Sequence, residues 1–315
     1  MVPAAGGREM RDSFIRSLLE LAKEDPNIEL VTGDLGFGVL RPFWEALPDQ
    51  FLNAGIAEQN MTAMAAGMAL EGKTVFVYSI GNFPTMRCLE QIRNDCAYHG
   101  ANVKIVCVGG GFVYGSLGMS HHATEDLAVM RSLPGVTVFS PADRVEAAEV
   151  ARAAAACPGT CYIRLGRGGE PVVRDKIENF QVGKAIPVQK GSRIAIFSTG
   201  DIYKEAALAA QLLSQNGIKP TVYTFPTVMP IDEALVLECA REHELIVTCE
   251  EHNIQGGLGT AVAEVLAEQP GNKARLLRIG MENAYCSVVG TQEHLRKIYG
   301  MNGEAIARRI SVELA

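Results

Sequence analysis

Four groups of side chains in this 315-residue chain could do chemistry, and each also has a plainer reading. Glu58 ends the turn Gly55-Ile56-Ala57 and stands at the mouth of a helix-like pattern. A carboxylate there can share a proton with a ligand. It can also simply offset the positive end of a helix, worth roughly 0.3–1 kcal/mol. His121 and His122 follow Gly118-Met119-Ser120 in a loop. Neutral imidazole donates and accepts protons near pH 7, which suits a site handling hydroxyls and carbonyls. A solvated or capping histidine is the alternative. Arg164 and Arg167 end a strand-like run, where paired guanidinium groups suit a phosphate or carboxylate. They would equally serve as charges leaving a buried strand for solvent. The glycine runs at 109–111 and 256–259 lack the Lys-Ser/Thr of a phosphate loop and read as tight turns.

These groups need elements to position them. Met61, Met64, Ala65 and Met68 recur at i, i+3, i+4 and i+7, so a helix follows Glu58. Ala57, Ala63, Ala66 and Gly67 around it would let another backbone approach closely. The pattern predicts helices over 10–24, 41–47, 82–98, 124–131 and 142–157, and strands over 28–34, 73–80, 103–111, 136–140 and 160–165. After 166–190, rich in glycine, proline and charge, comes a second series. Its strands begin near Arg193, Lys219, Leu245 and Arg275, and its helices cover 201–216, 231–243 and 257–268. Strands alternating with helices give the fold class α/β, with two doubly wound, mostly parallel sheet domains. The expected division is 1–168, a linker at 169–190, and 191–315. Ligands of such sheets bind beyond the carboxyl ends of the strands. That edge should gather Asp34, Phe83, the 109–118 loop, His121 and Arg164.

Composition narrows the partners. Hydrophobic residues make up 48% and charged residues 21%, as in a globular protein. No apolar run reaches the ~18 residues of a membrane span. The start of the chain lacks the apolar core of a signal peptide, so a cytoplasmic protein is expected. A net charge of −7 argues against nucleic acid or anionic membrane as the main partner. The eight cysteines form no Cys-x-x-Cys pair and read as reduced core residues.

Taken in order, five stretches resemble the transketolase family. They are Gly55-Ile56-Ala57-Glu58-Gln59, Tyr78-Ser79 with Phe83 and Arg87, and Gly115-x-x-Gly118-Met119-Ser120-His121. Ser140-Pro141-Ala142-Asp143 and Tyr162-Ile163-Arg164-Leu165-Gly166-Arg167 complete the set. The likeness runs from about residue 10 to 310 and is closest to a pyrimidine-binding domain followed by a transketolase C-terminal-like domain.

The resemblance implies thiamine diphosphate as cofactor. Glu58 matches the glutamate that hydrogen-bonds N1′ of the aminopyrimidine, and Phe83 the aromatic ring that stacks on it. Asp34 matches an acidic residue beside the cofactor, Ile56 is expected there too, and His121 is expected to be catalytic. His121, His122, Arg164 and Arg167 are expected on the substrate side, with His122 standing where the family usually has a glutamine. Nothing in the chain matches the Gly-Asp-Gly…Asn element that holds the diphosphate through a divalent metal. The resemblance therefore implies half of a split enzyme. Mg2+ would be held by an N-terminal-half partner, around a homodimeric core in an α2β2 assembly. The expected activity is transfer of a two-carbon ketol unit between sugars. The family's cation near the substrate phosphate is replaced by Gly109 or Gly110, which leaves room for a sulfonated, branched or deoxy sugar. Two other readings stand beside it: the β subunit of a 2-oxo acid dehydrogenase, and a structural relic that keeps the dimer fold. The Gly-Met-Ser-His stretch and the Arg164-Leu165-Gly166-Arg167 strand end favour ketol transfer over the first, and retention of both Glu58 and Phe83 argues against the second.

Overall fold

A computed structural model describes residues 9–168, 172–269, 271 and 274–314. The first three residues of the expected linker, 169–171, and the first eight residues of the chain lie outside this range.

The first half builds a seven-stranded sheet. Helix α1 (Met10–Glu24) turns Phe14, Leu18 and Ala22 inward at i, i+4 and i+8 and ends just before Pro26. It covers one face of the sheet beside a later helix. Strand β1 (Ile28–Thr32) is buried throughout, as a strand covered on both faces must be. Helix α2 (Arg41–Ala46), strand β2 (Phe51–Asn53), helix α3 (Glu58–Leu70) and strand β3 (Thr74–Ile80) follow.

A helical run then passes through α4 (Leu89–Gln91) into a wider π-turn, Ile92–Ala97. It begins at Met86, four residues later than the sequence implies. Pro84 and the Thr85 hydroxyl, which donates to the Gly81 carbonyl, hold residues 81–85 as a turn instead. Strand β4 (Val103–Val108), helix α5 (Asp126–Arg131), strand β5 (Thr137–Phe139), helix α6 (Arg144–Ala156) and strand β6 (Cys161–Leu165) complete the half. Asp143 caps α6 by accepting from the N–H groups of Val145 and Glu146.

The second half builds a five-stranded sheet. In order come β7 (Ile186–Gln189), β8 (Ile194–Thr199), α7 (Tyr203–Gln215), β9 (Thr221–Thr224) and β10 (Thr227–Met229). Then follow α8 (Glu233–Glu242), β11 (Leu245–Asn253), α9 (Leu258–Glu268), β12 (Arg275–Met281), α10 (Gln292–Ile298) and α11 (Gly303–Leu314). Strand order is β10-β5-β6-β4-β3-β1-β2 in one sheet and β12-β11-β8-β9-β7 in the other. All pairings are parallel except two at the edges, β10 on β5 and β7 on β9.

Two of these pairings depart from the sequence reading. The end of the expected linker forms β7. Strand β10, from the second half, pairs with β5 of the first sheet, so that sheet borrows a strand across the linker. The sequence pattern does not reveal helices α10 and α11; α11 buries Ile306 and Ile310 against α7. All eight cysteines are free thiols, and only Cys157 is not buried. Among the described residues, no helix is long and apolar enough to cross a membrane.

Candidate active site

The carboxyl ends of β1, β3, β4 and β6 lead into the segments carrying Asp34, Phe83, His121 and Arg167. Strand β2 leads through a tight turn into Glu58. Of the groups expected at this edge, Phe83 and His121 meet beside the Glu58–Arg87 pair, whereas Arg164 is buried on other partners.

Glu58 opens α3 yet is only 3% exposed, so it is not a solvated first-turn charge. The helix behind it is packed through Met61 and Ala65, both fully buried, while Thr62 donates its hydroxyl to the Glu58 carbonyl. A buried carboxylate needs a partner. Arg87 provides it, donating from Nη1 to Glu58 Oε2 at 2.8 Å. The same guanidinium lies over the Phe83 ring, 4.5 Å from its centroid. His121 meets the edge of that ring, with centroids 5.1 Å apart and planes at 73°. Glu58, Arg87, Phe83 and His121 are thus one contiguous group. Arg87 belongs to the sequence likeness but not to the expected site. The signal that could have found it is a carboxylate destined for burial with one arginine four residues beyond its aromatic neighbour.

The loop after β4 carries His121 toward this group. His121 is half-buried, and its Nδ1 lies 3.1 Å from the Ser120 hydroxyl. Tyr114 stands 6.4 Å from it, centroid to centroid, and the exposed Arg167 lies over the Tyr114 ring at 5.5 Å. Burial pushes the Tyr114 hydroxyl's pKa up, and Arg167 acts the other way. Gly109 adopts φ +95° and has the Tyr114 ring packed where a side chain would start. A side chain at Gly110 would collide with Arg164. No cationic side chain can stand at either position in this packing, so Arg167 is the exposed cation beside Tyr114.

Two expected substrate contacts lie inside the protein. Arg164 is 4% exposed and does not pair with Arg167. Its Nε donates to Asp126 Oδ2 at 2.9 Å, and its Nη2 donates to the carbonyls of Ala123 and Glu251 at 2.8 Å each. Burial opposes its charge, yet Asp126 holds its pKa above the ordinary value, with help from Tyr162 and Glu251. The physical reason is its strand: β6 is covered on both faces, so an arginine on it must find buried acceptors. His122 is likewise buried, with Nε2 3.2 Å from the Gly115 carbonyl and its ring against Phe112. It braces the loop from within while its neighbour His121 turns outward.

Asp34 is exposed and takes φ +60°. Asn53 fixes it there: the Asp34 N–H donates to Asn53 Oδ1 at 3.0 Å, and Asn53 Nδ2 donates to Asp34 Oδ1 at 2.9 Å. The Gly55 N–H shares the same acceptor, so Asn53 ties β1's exit to the turn before Glu58. Ile56, in that turn, is 77% exposed. A recess of about 470 Å³ between α5, α8 and α9, lined by the Arg131–Glu264 ion pair together with Glu233 and Glu268, is formed by none of these groups.

The Glu58–Phe83 pair fits an aminopyrimidine by the chemistry it already accommodates. A flat group with N–H donors, the Arg87 guanidinium, rests on the ring and donates to the carboxylate. Among the described residues, no group of three or more His, Cys, Asp or Glu is placed to hold a metal ion.

Residues 7–170 match the family model described as transketolase, pyrimidine binding domain, and residues 183–306 match transketolase, C-terminal domain. The chain is 37% identical to one of the subunits of the apulose-4-phosphate transketolase of Phocaeicola vulgatus, over 95% of each chain. It is 35% identical to the SqwH subunit of the 6-deoxy-6-sulfo-D-fructose transketolase of Clostridium sp. (strain MSTE9), over 95% of this chain and 92% of that one. Its fold superposes on a solved split gene transketolase, an inactive beta4 tetramer, with a TM-score of 0.88 and 36% identity. That likeness covers 97% of this chain and 98% of the other.

Proposed function

This chain belongs to the transketolase family, and on that premise we propose that it is one subunit of a split, thiamine-diphosphate-dependent transketolase. It works with an N-terminal-half partner that holds Mg2+ and the diphosphate, around a homodimeric core in an α2β2 assembly, in the cytoplasm. The observation that carries the reading is the buried Glu58 carboxylate beside the half-buried Phe83 ring. Bound thiamine diphosphate supplies the carbon nucleophile that takes up and delivers a two-carbon ketol unit. This chain's own groups do the rest. Glu58 shares a proton with the ring nitrogen it faces, in a setting from which α3 excludes water. Phe83 gives the ring a flat support, while Asp34 and Ile56 line the approach. His121, at the edge of Phe83, exchanges protons with the sugar hydroxyls and carbonyl. Arg167 faces the charged end of the substrate.

The relatives' names, for apulose 4-phosphate and a sulfo-fructose, support a specialised donor or acceptor with an anionic end over an ordinary one. The glycines at 109 and 110 support the same choice, since they shift the task of anion contact to Arg167. The boundary between the two domains is proposed at 169–190, with β10 pairing across it to β5.

The test is reconstitution. The purified chain alone should bind thiamine diphosphate weakly and turn over nothing. With its N-terminal-half partner it should bind the cofactor in a magnesium-dependent way and cleave a ketose donor. Tight, magnesium-dependent binding by the chain alone in calorimetry would overturn the division of labour.

A further inference from the structure

Arg87 stands where a cofactor would have to come. Its backbone is fixed at the start of the helical run, with its N–H on the Asn82 carbonyl at 3.1 Å. Its side chain is 47% exposed, so the guanidinium can leave for water without crossing the core. It makes two contacts, the salt bridge to Glu58 at 2.8 Å and the cation–π contact with Phe83 at 4.5 Å. Those are the two contacts that the reading above gives to the aminopyrimidine ring.

We propose that Arg87 is a placeholder for the aminopyrimidine, a latch that occupies Glu58 and Phe83 in the empty subunit and is displaced when thiamine diphosphate enters. The proposal rests on the functional reading above and adds a residue to it. Two flat groups cannot share one face of the Phe83 ring and one carboxylate oxygen. A buried carboxylate left without a counter-charge is costly, so the guanidinium keeps the empty site folded around Glu58. A half-exposed arginine pair contributes little in water, and a cation over an exposed ring only modestly. The latch is therefore weak enough for a cofactor anchored by its diphosphate to open. Once released, the guanidinium no longer neutralises Glu58, which can then share a proton with the ring nitrogen. Glu58 is thus committed to proton sharing only when its ligand is present.

The experiment uses the chain assembled with its N-terminal-half partner, titrated with thiamine diphosphate by calorimetry at fixed magnesium. Arg87→Ala should bind the cofactor about three- to tenfold more tightly than the wild type, because no guanidinium has to be displaced. The cofactor-free variant complex should melt at a lower temperature, since Glu58 has lost its partner. The gap in melting temperature between loaded and empty complex should therefore widen. Arg87→Lys, which keeps the charge but not the plane, should bind with an affinity between the two. Unchanged or weaker binding by both variants would overturn the latch; Arg87 would then stay on Glu58 in the loaded site and merely position it. If no complex, wild type included, binds the cofactor, the functional reading fails and the latch with it.

Discussion

Glu251, on β11 of the second sheet, accepts the backbone N–H of Phe112 in the glycine loop of the first sheet at 2.5 Å. The same carboxylate accepts from Gln292 Nε2 and pairs with Arg296, which also faces Asp201 at 3.0 Å and Glu205 at 3.6 Å. Its backbone carbonyl accepts from Arg164 of the first sheet. The loop that carries His121 is therefore braced by a buried ionic cluster of the other domain, which gives that domain a part in the site.

Removing this brace should cost both stability and catalysis. Glu251→Ala leaves Arg296 buried with fewer partners, and truncating one side of a buried pair costs about 3–5 kcal/mol. The low end, about 3 kcal/mol, is expected because Asp201 and Glu205 remain. Urea unfolding measures the loss. Donor turnover should fall in the folded variant as His121 loses its setting, while cofactor affinity changes little, because Glu58 and Phe83 lie on other segments. A variant that is destabilised but has normal turnover would mean that the brace does not reach the site.

The two arginines of the β6 exit should behave as different kinds of residue. Arg164→Ala strands Asp126, which is fully buried and is left with the Tyr162 hydroxyl at 2.6 Å and the His252 ring at 3.9 Å. The expected result is a loss of about 3–5 kcal/mol in stability, with little soluble protein. Arg167→Ala should fold normally and raise KM for an anionic substrate about three- to tenfold, leaving cofactor binding intact. An unchanged KM would show that Arg167 only covers Tyr114.

That contrast shows what the sequence carries and what it hides. Buried parallel strands are continuous apolar runs, so β1, β3, β4, β6, β8 and β11 are legible, as are α1 and α3. Short edge strands such as β2 and β10 have no period to read, and β10 owes its place to a partner strand in the other half of the chain. Glu58 and Phe83 can be found because their local words resemble known ones. The fate of Arg164 depends on Asp126, 38 residues away, and on a carbonyl 87 residues away. His121 and His122 look alike in sequence, yet loop geometry sends one outward and the other under Phe112.

Stability should depend on pH through Glu146, which is fully buried at the start of α6. Burial pushes its pKa up to about 7, against the Thr224 hydroxyl and the Ala142 N–H that hydrogen-bond its two oxygens. A carboxyl raised in the folded state binds more protons there than in the unfolded chain. The contribution of Glu146 to stability is therefore fully present below the unfolded value near 4.5 and is lost as pH rises through about 7. The loss amounts to roughly 3 kcal/mol by pH 8. Glu146→Gln, which cannot ionise, should give a flatter curve of unfolding free energy across that window. Parallel curves for the two proteins would show that Glu146 is not the titrating group.

Glu58→Gln tests the centre of the reading. Glutamine keeps the size of the side chain and the start of α3, and it can still accept from Arg87, but it cannot take part in sharing a proton. Stability should change by no more than about 1 kcal/mol, because the partner Arg87 is half-exposed and water can solvate it when the charge is gone. Donor turnover by the assembled complex should fall by about two to four orders of magnitude, the usual scale for a positioned acid or base. If the carboxylate serves only the helix and its arginine, the pattern reverses: a measurable stability loss with nearly intact turnover. Melting temperature and turnover measured on the same complex separate these outcomes. A Glu58→Gln complex that keeps more than about a tenth of normal activity would take away Glu58's role in proton sharing, since that role predicts at least a roughly hundredfold loss.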